Sequence, residues 1–178
     1  NYSIIRFIIG RVLCFEAAFM ILPCITAVIY QEKSGWSFVI SGLLCLAVGF
    51  LLSRKKPSNT VFYAREGFVT AALCWIMISI MGALPFLISG SITNPFDAFF
   101  ETVSGFTTTG ASVLKDVEIL PRCIIFWRSF THWIGGMGVL VFLLSFLHVK
   151  GSGSFMNLMK AESPGPSVSK LTPNIQST

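Results

Sequence analysis

The stretch Gly105-Phe-Thr-Thr-Thr-Gly-Ala-Ser112 places three threonines, two glycines and a serine, with no charge, in a chain that is otherwise largely hydrocarbon. It follows the phenylalanine-rich run Phe96-Asp-Ala-Phe-Phe-Glu-Thr-Val-Ser104. What a polar, uncharged backbone does at that point depends on the segments around it.

On its N-terminal side, Asn94-Pro95 is a helix-start signal. Asparagine caps, proline fits the first turn, and Asp97 lies three residues after the cap. From Pro95 to about Phe106, the residues Phe96, Phe99, Phe100 and Val103 form one apolar stripe at helical spacing. Twelve residues rise about 18 Å, roughly half a bilayer. The expected element is a half-helix that enters the membrane and returns.

Non-helical backbone at membrane depth is tolerated where it is buried in protein or lines water. Extended threonine and glycine offer successive carbonyl oxygens without side-chain charge, and such oxygens can replace a cation's hydration shell. Gly110 has no Cβ and can turn a carbonyl toward an axis. The negative C-terminal end of the half-helix favours a cation in the same place. The physical alternative is a polar loop, residues 105–112, that only packs on the bundle.

The rest of the 178-residue chain supplies the membrane. It is 53% hydrophobic and 12% charged, about half the charge of a soluble domain, and its mean hydropathy is +0.75. Four stretches approach the roughly 20 apolar residues that a crossing needs: Val12–Tyr30, Trp36–Leu52, Gly67–Leu87 and Cys123–Leu147. The first extends back to about Ile4 and carries a kink site at Pro23. The third is expected to loosen at its outer end, at Gly82 and Pro85. The Gly135-Gly-Met-Gly138 run of the fourth serves close backbone packing or a bend. The fold class is therefore all-α and polytopic: two N-terminal transmembrane helices (1–56), one helix–pore-loop–helix unit (57–150) and a polar connector (151–178).

The net charge of +5 does not point to nucleic acid, because the basic residues are segregated. Arg54, Lys55, Lys56 and Arg65 fall between the second and third apolar segments, and Lys150 and Lys160 follow the fourth. The 90–122 connection carries Asp97, Glu101, Asp116 and Glu118 against Lys115 and Arg122. The positive-inside rule puts the 53–66 loop and both termini in the cytoplasm and 90–122 outside. Arg6 and Arg11 agree, and the lone Lys33 does not. The chain starts at Asn1, and its tail suggests a piece of a longer polypeptide.

Five cysteines (14, 24, 45, 74, 123) are scattered singly and read as small buried hydrophobes. His132 and His148 lack metal partners. Glu16 is an acid within the first apolar segment, expected as a contact inside the bundle, with a functional role as the alternative. Arg128 is expected as an interfacial anchor or a carboxylate's partner, with tuning of ion entry as the alternative. An enzyme is not expected. Ser104, Ser112 and His132 form no nucleophile–base signature. Asp97 and Glu101 read as a negative vestibule or as charge favourable near a helix start.

The chain resembles the Trk/Ktr/HKT superfamily of potassium-translocating proteins, most closely its bacterial Trk-type membrane-subunit branch. The resemblance rests on Arg65-Glu-Gly-Phe68, Gly82-Ala-Leu-Pro-Phe86, Asp97-Ala-Phe-Phe-Glu101, Ser104-Gly-Phe-Thr-Thr-Thr-Gly-Ala111, Trp133-Ile-Gly-Gly-Met-Gly138 and Ala161-Glu-Ser-Pro-Gly-Pro166, spread in order over about 100 residues. It implies four helix–pore-loop–helix repeats around a central pore, of which this chain holds the first after two extra helices. It implies K⁺ as the transported ion, with Thr107, Thr108, Thr109, Gly110, Ala111 and Ser112 at the filter and the backbone carbonyls of Thr107 to Gly110 as contacts. The Thr108 hydroxyl is a possible addition, and glycine at 110 favours potassium over sodium. It further implies a bacterial inner-membrane location among lipids, a homodimer, and a cytosolic nucleotide-binding regulatory subunit. The alternative to one quarter of a filter is a non-conducting fragment or assembly subunit, or several copies around one axis.

Overall fold

The structure is a computed structural model that describes residues 2–55 and 64–138, with side chains of the second stretch from Glu66 onward. The expected Val139–Leu147 half of the fourth segment, the connector 151–178 and residues 56–63 lie outside the described residues.

Six helices follow one another: α1 (Tyr2–Phe19), α2 (Ile21–Ile29), α3 (Gly35–Ser53), α4 (Ala64–Ile88), α5 (Pro95–Phe106) and α6 (Arg122–Gly136). Among the described residues there is no strand. Three helical spans are long and apolar enough to cross a membrane: Tyr2–Ile29, Gly35–Ser53 and Glu66–Ile88. The protein is thus an all-α polytopic membrane protein, with a pair of N-terminal spanning helices ahead of a third span and the shorter helices α5 and α6.

The first span is α1 and α2 together. The break falls at Met20, three residues before Pro23, because proline lacks the N–H that would bond the Phe19 carbonyl. Pro85 behaves differently. It lies inside α4, which continues to Ile88, so the expected loosening at Gly82 and Pro85 does not end the helix. The indole of Trp127 on α6 donates to the Gly82 carbonyl at 3.0 Å, next to the carbonyl that Pro85 leaves without its helical partner. A neighbouring helix thus contacts the α4 backbone one residue from the carbonyl that Pro85 leaves unpaired.

α3 packs on α1 through small residues. Its buried positions Ser37, Ser41, Cys45 and Gly49 recur every four residues, while Leu43, Leu46, Phe50 and Leu51 are exposed on the side available to lipid. A Cβ at Gly10 would lie 2.6 Å from the Gly49 carbonyl oxygen, and one at Gly49 would lie 2.8 Å from that of Gly10. The two backbones therefore touch, the approach that small residues permit between membrane helices.

Two apolar clusters fill the interior. One joins α1 to α4 through Ile5, Ile8, Val12, Cys74 and Ile78, and reaches Phe106 and Ile134. The other gathers Met20, Phe38, Phe86, Ile124 and Trp127 around the half-helix α5. Glu16 is buried between them at 4% exposure. Its Oε2 accepts from the Cys45 thiol at 3.6 Å, and its Oε1 is buried without a partner. The expected contact inside the bundle is present, and Cys45 provides it.

Candidate functional site

The half-helix is built as its sequence dictates. The Asn94 side chain accepts from the Phe96 amide at 3.0 Å, Pro95 opens the first turn, and Asp97 lies in that turn. Its C-terminal end makes a recognisable cap. The Thr108 amide donates to the Gly105 carbonyl at 2.9 Å and the Thr109 amide to the Ser104 carbonyl at 3.0 Å. That pair of bonds is a Schellman motif. The residue between them that must adopt the left-handed conformation is Thr108, at φ +57°, where glycine is the usual occupant. A branched side chain there is strained, at a cost of about 1–2 kcal/mol.

The following non-helical segment is held by both the carbonyl and the hydroxyl of Ser104. Its carbonyl also accepts from the Gly110 amide at 3.5 Å, and its buried hydroxyl donates to the Ala111 carbonyl at 2.5 Å. The Thr107 amide returns to the Val103 carbonyl at 2.8 Å. The amides of Thr107, Thr108, Thr109 and Gly110 are therefore all directed back at the half-helix. Among the described residues, no donor reaches the carbonyls of those same four residues. Gly110 adopts φ +77° with nothing within 4 Å of a Cβ placed on it. Thr107 through Ser112 are all exposed.

The threonine side chains stay local. The Thr107 hydroxyl donates to the Val103 carbonyl at 2.7 Å and lies 2.8 Å from the Thr109 hydroxyl. Farther along, Ser112 and Val113 are tied down by a buried carboxylate. Glu101, 1% exposed, accepts from the Ser112 hydroxyl at 3.1 and 3.0 Å and from the Val113 amide at 3.1 Å. It also pairs with the Arg128 guanidinium of α6.

Glu101 is accordingly not a vestibule charge, as its position on the half-helix suggested. Seven residues from the cap, it faces α6, and it is spent on Ser112, Val113 and Arg128. Arg128 finds the carboxylate partner expected of it. His132 sits one turn on, with Nδ1 2.9 Å from the Arg128 carbonyl. Among the described residues no group of three or more His, Cys, Asp or Glu could hold a metal.

The half-helix and α6 meet through glycines. A Cβ on Gly135 would lie 2.0 Å from the Phe106 carbonyl oxygen, and one on Gly105 would lie 2.2 Å from the Thr131 hydroxyl. Gly135 thus serves close packing. The same run also ends the helix: α6 stops at Gly136, and Gly138 takes φ +67°. The expected fourth segment is therefore not one uninterrupted helix.

α6 also lacks a local N-cap, since Pro121 precedes it and offers no side-chain acceptor. The acceptor comes from the turn between α2 and α3. Glu32 takes the Arg122 amide at 2.6 Å and the Cys123 amide at 3.0 Å. Burial alone would raise the Glu32 pKa, but the Cys123 and Arg122 amides, the Cys123 thiol and the Arg122 charge together outweigh it and hold the carboxyl below its ordinary range. The sequence separation of 90 residues hides this contact from any local pattern. Ser104, with its three bonds to the segment after the half-helix, was likewise visible in the sequence only as part of a motif.

Comparison with known proteins places these features. A family model described as TrkH, cation transport protein, matches residues 34–177. The Trk system potassium uptake protein TrkH of Escherichia coli K12 is 37% identical over 183 residues, covering 100% of this chain and 37% of that protein. Its namesake in Vibrio parahaemolyticus is 39% identical over 181 residues, covering 99% of this chain and 36% of that one. A crystal structure of the potassium transporter TrkH from Vibrio parahaemolyticus matches with a TM-score of 0.75 at 33% identity, over 83% of this chain and 32% of that chain. The chain spans little more than a third of the length of these relatives.

Proposed function

The chain belongs to the TrkH family of cation transport proteins, and we propose that it supplies one of four pore-loop repeats of a potassium-uptake protein. Dehydrated K⁺ passes the backbone carbonyls of Thr107, Thr108, Thr109 and Gly110, with Ala111 and Ser112 completing the filter stretch. One observation carries this reading. The four amides are consumed by the half-helix, while the four carbonyls accept from no donor among the described residues. A loop that merely packed would cover its residues, whereas Thr107 to Ser112 are exposed, as one quarter of a ring is before its neighbours close it.

In this reading residues 1–56 are an N-terminal helix pair, 57–150 the first repeat, and 151–178 a cytoplasmic connector. Both termini face the cytoplasm and the membrane is the bacterial inner membrane. The remaining repeats, a second copy as homodimer partner and a cytosolic nucleotide-binding regulatory subunit complete the assembly. The role is transport and not catalysis.

The test is growth of potassium-transport-deficient cells on low K⁺. Full-length protein should rescue growth, and the Gly110→Asp variant should not; equal rescue would remove the filter assignment. Radioactive rubidium flux through the reconstituted full-length protein, present in the parent and lost in Gly110→Asp, separates this reading from a non-conducting subunit. Flux should require the remaining repeats.

A further inference from the structure

The basic end of the helix pair forms a group that the transport reading does not use. The position of a Gly10 Cβ is 2.6 Å from the Ser53 amide nitrogen, so the backbone of α1 lies on the last turn of α3. Arg11 and Arg54, each one residue from that contact, are brought to the same end of the bundle. Arg6 lies one turn before Gly10 on the same face of α1.

The Nε atom of Arg6 is buried without a hydrogen-bond partner. Arg11, Arg54 and Lys55 are exposed, and the Arg11 guanidinium lies 5.9 Å from the centroid of the Phe7 ring, a contact that leaves its N–H edge unused. Among the described residues the acid at this end is Glu66, in the first turn of α4, and it has an interaction of its own. Among the described residues, four cations therefore gather without matching carboxylates, and one of them, Arg6, buries a donor that no described residue accepts. Such a donor costs free energy unless an acceptor arrives.

The surface beside this cluster is hydrocarbon. Leu46, Phe50 and Leu51 are 51%, 60% and 66% exposed, and they run along α3 away from Arg54. A ligand that fits both parts carries an anionic head and an acyl chain. A soluble acidic protein would satisfy the charges and leave the apolar stripe unmatched.

We propose that the end of the bundle where α1 begins and α3 finishes binds the phosphate of an anionic membrane lipid through Arg6, Arg11 and Arg54, with the acyl chain along Leu46, Phe50 and Leu51. The phosphate accepts the Arg6 Nε proton, and the exposed arginines clamp its remaining oxygens. The proposal does not depend on the pore reading, because lipid binding is measured without ion flux.

The experiment uses the full-length protein in a neutral detergent, titrated separately with phosphatidylglycerol, phosphatidylcholine, inorganic phosphate and poly-glutamate. Retained lipid is counted by native mass spectrometry and thermal stability is followed in parallel. Phosphatidylglycerol should be retained and stabilising, and phosphatidylcholine should be neither. Arg11→Gln and Arg54→Gln, at exposed positions, should each weaken retention roughly five-fold while leaving the lipid-free melting temperature unchanged. Arg6→Met should abolish retention. Equal retention of the two lipids, or unaltered binding by both exposed variants, would overturn the proposal. Stabilisation by inorganic phosphate to the same extent would make this a free-anion site, and stabilisation by poly-glutamate alone would make it a protein contact; either result overturns the lipid assignment.

Discussion

Glu101 and Arg128, 27 residues apart, form an ion pair across the contact between the half-helix and α6, and the same carboxylate holds the Ser112 hydroxyl and the Val113 amide. Removing one member strands the other in a buried site, at a cost of about 3–5 kcal/mol. Glu101→Gln and Arg128→Leu should each lower thermal stability on that scale and reduce potassium uptake. The double variant should lose less stability than the sum of the two, while uptake stays low because Ser112 and Val113 are still released. A double-mutant cycle with parallel uptake assays separates the two effects.

Thr108 occupies the left-handed position of a Schellman motif. Thr108→Gly should relieve the strain and raise stability by about 1 kcal/mol. It also frees the backbone that orients the neighbouring carbonyls, so discrimination of K⁺ from Na⁺ should fall. Thermal denaturation and competitive rubidium uptake in Na⁺ measure the two outcomes, which should move in opposite directions.

Gly135 and Gly136 are adjacent and should respond oppositely to the same change. A methyl group at 135 meets the Phe106 carbonyl at 2.0 Å, whereas at 136 the nearest atom is the Thr108 Cγ2 at 3.9 Å. Gly135→Ala should cost about 3 kcal/mol or prevent folding. Gly136→Ala should be neutral or mildly stabilising, since alanine is the better helix residue. Expression level and melting temperature distinguish them.

Glu32 links acid stability to the N-terminal turn. Its folded pKa lies below the ordinary value of 4.5 because the effect of burial is outweighed by the Cys123 and Arg122 amides together with the Cys123 thiol and the Arg122 charge. Its contribution is therefore fully present above the unfolded pKa and is lost as pH falls through the folded value. Glu32→Ala should remove about 1 kcal/mol at pH 7, as for a lost helix cap. The variant should also lose less further stability on acidification below pH 4.5 than the parent chain. Denaturation midpoints measured across that pH range test the sign.

The half-helix and the polar segment after it were legible because their signals are local. Asn94, Pro95 and the stripe of Phe96, Phe99 and Phe100 lie within seven residues of one another. The helix pair was legible for the same reason, since hydrocarbon length needs no partner. The partners themselves were not. Nothing near Pro121 announces that Glu32 caps α6, and nothing near Glu101 announces Arg128, because both are contacts of the folded bundle. Proline gave mixed guidance. Pro23 marks a real break, yet α4 runs through Pro85 to Ile88, with the Trp127 indole of α6 bonded to the neighbouring Gly82 carbonyl.

The contact of Gly135 with the Phe106 main chain has a mechanical meaning. Where one main chain lies on another, no side chain remains that could change rotamer and absorb a displacement. α5 and α6 cannot slide or roll past one another without separating, so they travel as a single lever. Any rearrangement of the repeat must then flex at the joints that bound this lever. Those joints are the Ser89–Asn94 turn on one side and the Gly136–Gly138 helix stop on the other.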